Sequence, residues 1–168
     1  MNVMRWCLIA FVACATASFG QDNVVHLTAK PAPMLVLKDL NDTEVALTNY
    51  AGKTRLFFFW ASWDKPSQQQ LATLKDIQRN YAASNVVVLG LALDWQNPTG
   101  LKNFAATNSI NFPILIADYD VIKGFGGVEA IPTTILVEPH GLVVTRFTGL
   151  TEKGAITNYV EAVLKSQR

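Results

Sequence analysis

The sequence predicts an α/β fold: a central mixed β-sheet flanked by helices, with a β-hairpin extension at its N-terminal end. Three observations carry this. Two apolar runs, residues 55–60 (RLFFFW) and 86–93 (VVVLGLAL), lack the alternation of a half-exposed strand and fit strands buried on both faces of a sheet. Apolar residues then recur at helical spacing, first Leu71, Leu74, Ile77 and Tyr81, later Ala155, Ile156, Tyr159, Val160, Val163 and Leu164, as on the buried face of amphipathic helices. Finally, Pro139-His140-Gly141 separates extended segments 131–137 and 142–147, the pattern of an antiparallel hairpin.

The elements follow in order. Met34-Leu35-Val36-Leu37 and Val45-Ala46-Leu47 flank the turn formers Asn41-Asp42 and predict the N-terminal hairpin. Gly52-Lys53 leads into the first buried strand, and Lys75, Asp76 and Arg79 mark the polar side of the helix after it. The second buried strand ends at Asp94; residues 101–108 form a short helix and 112–116 a short extended segment. Residues 118–125 are expected to be helical and stopped by Gly126-Gly127;. The order is β-β-β-α-β-α-β-α-β-β-α, with parallel central strands and an antiparallel last hairpin. No repeat, low-complexity tract or linker interrupts it, so residues 21–168 read as a single domain.

The first twenty residues read differently. A single basic residue, Arg5, precedes the apolar run 7–17 (CLIAFVACATA), which is far short of the roughly 20 residues that span a bilayer. Small residues follow, so residues 1–20 are read as a secretory signal peptide, cleaved after Ala17 or after Gly20;. The protein is therefore expected in the periplasm or secreted. Half the chain is apolar and 16% charged, which excludes disorder;. Taking Arg5 from the 14 Lys+Arg leaves 13, against 13 Asp+Glu. That balance gives no field to recruit nucleic acid or an anionic membrane. Both cysteines, Cys7 and Cys14, fall inside the signal segment, so the mature chain has no thiol and no disulfide. Phe11-Val12-Ala13 is a poor lipoprotein box, and a lipid anchor at Cys14 is not expected.

The chemistry centres on residues 59–67, FWASWDKPS, on a strand-to-helix turn. Around it stand Ala32-Pro33, Leu37, Asp39-Leu40, Leu47, Gly52-Lys53, Asp94, Phe112-Pro113, Gly127-Val128 and Ile131-Pro132-Thr133-Thr134. With this set, from about residue 30 to its end, the chain resembles the thioredoxin-fold redoxins of the TlpA/ResA type, which are AhpC/TSA-like. The resemblance implies a thioredoxin-like fold and a lineage of secreted or membrane-tethered thiol–disulfide oxidoreductases. It also implies that Pro132 is a cis-proline facing the turn. In active members a first cysteine sits at the helix N-terminus, where free N–H groups and the helix dipole favour its thiolate. A second cysteine one turn on resolves the mixed disulfide. Carried over residue by residue, those places hold Asp64 and Ser67. A glutamate implicated in proton transfer falls on Gln70, and a proline two beyond it on Ala72. Neither aspartate nor serine exchanges disulfides.

Asp64 itself reads as a helix N-cap, worth ~0.5–2 kcal/mol relative to alanine, and Pro66 suits an early helical position. A nucleophilic Ser67, or an acid–base Asp64, needs an adjacent base. The only histidines are His26 and His140, and His140 lies in the hairpin turn. No spacing suggests a metal cluster; Asp118 and Asp120 read as helix capping, and no metal or cofactor is expected. Trp60 reads as core, whereas Trp63 is either a groove wall or a packing residue. Trp63, Lys65, Pro66, Ile131 and Pro132 together would line a groove for an extended peptide. The leading expectation is a redox-inactive secreted protein that binds an envelope protein or peptide partner. The alternatives are a thiol–disulfide oxidoreductase or peroxidase, and a structural subunit of an envelope complex.

Overall fold

The computed structural model describes residues 24–25 and 30–167. Residues 1–20, read above as a signal peptide and holding Cys7 and Cys14, and also His26, lie outside the described residues.

Strand β4 (Thr54–Trp60) is the middle of the fold because all seven of its residues are buried. It pairs in parallel with β5 (Val86–Ala92), equally buried, and β5 pairs in parallel with β6 (Ile114–Ile116). On its other side β4 runs antiparallel to β7 (Thr133–Val137), which pairs antiparallel with β8 (Val143–Thr148). A two-residue strand β1 (Val24–Val25) adds to β8 opposite Phe147 and Arg146, completing the order β1-β8-β7-β4-β5-β6. The mixed sheet matches the expected fold, and β1 is an addition to it. Two residues carry no periodicity, so only the free edge of β8 identifies that strand.

Alternation along β4 builds two cores. Leu56, Phe58 and Trp60 face α1 (Lys65–Tyr81) and α4 (Lys153–Lys165), packing with Leu71, Leu74, Ile77, Ile156 and Val160. Phe57 and Phe59 face the opposite way, where Phe125 packs against both, tilted on the first and edge-on to the second, at 4.9 and 5.2 Å between ring centres. Fully burying one such side chain contributes about 1.5–3 kcal/mol. Gly90 interrupts the apolar run of β5 for a packing reason. A Cβ there would lie 3.0 Å from Trp60 Nε1 and 3.1 Å from Phe112.

The N-terminal hairpin forms from β2 (Val36–Lys38) and β3 (Glu44–Ala46). Asp39 closes its turn by accepting from Asn41 N at 2.7 Å and Thr43 N at 2.9 Å, and Asp42 takes the left-handed φ of 64°. Helix α2 (Pro98–Thr107) starts three residues earlier than its apolar spacing indicates. Asn97 caps it by accepting from Gly100 N at 2.9 Å, and Pro98 fits the first turn, where a missing N–H costs little;. Helix α3 (Tyr119–Gly124) is capped by Asp118, with Asp120 in its first turn. Among the described residues no helix is long and apolar enough to cross a membrane.

Candidate functional site

Strand directions bring the candidate residues to one end of the sheet. The last β4–β7 pair is Phe59 with Thr133, and the last β7–β8 pair is Thr133 with Thr148. The turn after β4, the Ile131–Pro132 bond before β7 and the Gly149–Leu150 segment after β8 therefore lie side by side. Because β5 runs parallel to β4, its exit at Asp94 joins them.

Asp94 fixes the turn. Its buried carboxylate accepts from Ser62 N at 3.0 Å and from Ser62 Oγ at 2.5 Å. Gln68 Nε2 donates to Ser62 O at 2.6 Å, so Ser62 is held on both sides. Trp63, next in the chain, is left 69% exposed, an outward position for an apolar side chain that a groove wall would need. Asp64 is the N-cap of α1: its Oδ2 accepts from Ser67 N at 2.8 Å, and its backbone carbonyl accepts from Gln68 N. Pro66 sits in the first turn, and Lys65 and Pro66 are both exposed.

Ser67 and Gln70 point the other way, into the protein, and both are fully buried. Ser67 Oγ has no hydrogen-bond partner among the described residues, a state that costs about 1–3 kcal/mol for a buried polar group. Among the described residues no base accepts its proton. His140 lies at the far end of β7, in the hairpin turn, with its Nδ1 2.7 Å from Glu138. Gln70 makes a two-point clamp 81 residues along the chain. Its Nε2 donates to Thr151 O at 3.2 Å while its Oε1 accepts from Thr151 N at 2.8 Å. Only a group that donates and accepts at once satisfies both, and an ionised carboxylate would not.

The Ile131–Pro132 peptide is cis, matching what the resemblance implies for Pro132. Pro132 is buried and its carbonyl accepts from Gly149 N at 2.7 Å. Ile131 is half-buried, and neither its N–H nor its C=O is hydrogen-bonded among the described residues.

The comparisons with known proteins agree with this geometry. The AhpC/TSA family profile matches residues 28–146. The chain belongs to the AhpC/TSA family. A thiol-disulfide oxidoreductase ResA from Geobacillus thermodenitrificans (strain NG80-2) is 28% identical to it over 166 residues, covering 96% of this chain and 95% of the relative. Two crystal structures share its fold. A putative thiol:disulfide interchange protein DsbE from Chlorobium tepidum superposes with a TM-score of 0.75 at 24% identity, over 83% of this chain and 99% of that one. A secreted thiol-disulfide isomerase from Corynebacterium glutamicum does so with a TM-score of 0.78 at 18% identity, over 89% of this chain and 96% of that one. The fold is thioredoxin-like.

This AhpC/TSA member also has site residues that its sequence pattern does not announce. Leu150, 56% exposed, is held near the cis-proline because Gly149 N donates to Pro132 O. Thr151 acts through the residue it holds, Gln70, as Asp94, already part of the sequence pattern, does through Ser62. An isolated apolar residue after a glycine was the available signal for Leu150.

Proposed function

We propose that the protein is an exported, redox-inactive thioredoxin-fold protein that binds an extended peptide segment of an envelope protein. Asp64 and Ser67 occupy the places of the two redox cysteines, and Gln70 that of the proton-handling acid. What supports the loss of redox chemistry is the chemistry now at those places. Asp64 is used as a helix cap, Ser67 Oγ is unpartnered, and Gln70 is locked in a neutral clamp. A dithiol cycle needs two sulfurs, and the chain's cysteines, Cys7 and Cys14, both lie in the segment read as a signal peptide.

The observation that carries the binding reading is Ile131. A peptide laid beside it in extended form would pair with its unbonded N–H and C=O, as an added strand does. Trp63, Lys65, Pro66 and Leu150 would supply the apolar walls and polar rim, with buried Pro132 as the floor. The test is crosslinking and pull-down from the native envelope with the wild-type protein, with Ile131→Asp and with Trp63→Ala. One specific crosslinked partner, lost with either variant, is the expected result. Equal retention by both variants, or no partner at all, overturns the proposal. A partner recovered in fixed stoichiometry and untouched by either substitution points instead to a structural subunit.

The family match favours a second reading, thiol–disulfide oxidoreductase or peroxidase. Disulfide and peroxide reduction by the purified protein, with the dithiothreitol background subtracted, decides between the two. Activity above background supports the second reading and removes the first.

A further inference from the structure

A cleft of about 1080 Å³ opens where the N-terminal hairpin meets the main sheet, and it is separate from the groove above. Trp63, Lys65, Pro66, Ile131 and Pro132 take no part in it. Hairpin and sheet are joined beside it by a single bridge, Asp39 opposite Leu115. Its apolar wall comes from Leu40, Ile116 and Val121, and Trp95 lines it while remaining 48% exposed.

Its charges are unbalanced. Asp39, Asp42, Glu44 and Asp118 line the cleft against two ammonium groups, Lys38 and Lys102. Lys38 is paired with Asp42 at 2.7 Å, which cancels one charge of each sign. Lys102 donates to the neutral side chain of Asn41 at 2.8 Å. That leaves three carboxylates facing one cation. The backbone N–H groups of Thr43 and Asn41 hold Asp39 below the usual carboxylate pKa, so it stays ionised. The Glu44 side chain makes no hydrogen bond or salt bridge among the described residues, although Lys38, already paired with Asp42, lies opposite it across the hairpin.

We infer that this cleft is a second docking site, and that its occupant is an extended peptide segment carrying lysine or arginine next to an apolar side chain. The charge complementarity chooses the basic residue, which Glu44 and Asp39 would pair. An exposed indole beside carboxylates also offers its face to that cation. The wall of Leu40, Ile116 and Val121 takes the apolar neighbour. The volume lies just above the range for a single bound molecule, about 300–1,000 Å³, and suits several residues of chain better than one side chain. Nothing in this inference depends on the Ile131 groove.

The test titrates purified protein with two blocked hexapeptides, Gly-Phe-Lys-Phe-Lys-Gly and its charge reverse Gly-Phe-Glu-Phe-Glu-Gly, using calorimetry and amide chemical-shift mapping. The lysine peptide is expected to shift amides in segments 36–44 and 95–102. It should bind about tenfold or more tightly than the glutamate peptide, and more weakly as salt is raised. Glu44→Lys and Trp95→Ala, both at exposed positions, should each weaken it, whereas Ile131→Asp should leave it unchanged. No binding by the lysine peptide, equal binding by the two peptides, or shifts confined to segments 61–66 and 131–150 overturns the inference. So does binding that survives Glu44→Lys in a protein whose remaining amide spectrum is unaltered.

Discussion

The two ends of β7 are built in opposite ways. At the far end, the turn from Glu138 to Leu142 satisfies itself. Glu138 accepts from His140 N at 3.0 Å and Leu142 N at 2.8 Å through its side chain, and from Gly141 N through its carbonyl. At the near end, among the described residues, Ile131 leaves both backbone groups open, and Trp63 and Leu150 stand exposed. Buried or half-buried polar groups are normally paired. A closed turn that uses its own donors serves stability; the open end is the one the proposed function assigns to a partner.

Introducing sulfur would alter the open end most. On the proposed reading, Asp64→Cys with Ser67→Cys raises disulfide reductase activity above the wild-type level, because the helix N-terminus that favours a thiolate remains;. A folded double variant that never forms the 64–67 disulfide would count against the assignment of those places. Next in size is Gln70→Glu. An ionised carboxylate against Thr151 O should cost about 1–3 kcal/mol at neutral pH, read from urea unfolding. Burial raises such a carboxyl above its unfolded pKa of about 4.3. The unfolded chain then loses its proton first, so the deficit grows as pH rises through that value and vanishes below it.

The closed end should respond to Glu138→Ala with a loss of about 1–2 kcal/mol, since two backbone donors lose their acceptor. Burial pushes the Glu138 carboxyl up, but the N–H groups of Leu142 and His140 outweigh it and hold it below its ordinary value. Its contribution is therefore present above the unfolded glutamate pKa and fades as pH falls through the folded one. Partner capture should not change, and a loss of capture would erase the contrast between the two ends. The smallest effect is Ser67→Ala, neutral or stabilising by up to about 1 kcal/mol, because it removes an unpaired buried hydroxyl. A clear destabilisation in thermal unfolding would mean that Ser67 Oγ has a partner after all.

Much of this was legible because it is local. The apolar runs at 55–60 and 86–93 identify β4 and β5, and the helix cap at Asp64 is contained in the four consecutive residues Asp64 to Ser67. Helix α2 begins earlier than expected because Thr99-Gly100 reads as a break, while the cap at Asn97 lies outside the apolar pattern. The rest depends on distant partners. Gln70 meets Thr151 across 81 residues, and Asp94 meets Ser62 across 32. The open backbone of Ile131 is a hydrogen bond not made, which no residue type encodes.

The tryptophans make the molecule its own optical probe. Among the described residues, Trp60 is sealed in the core and stacked on Phe58, while Trp63 and Trp95 stand in solvent at two different openings. Aqueous quenchers reach the second and third but not the first. Steady emission from Trp60 is thus an internal standard, against which shielding of either outer indole reports which opening a ligand has entered.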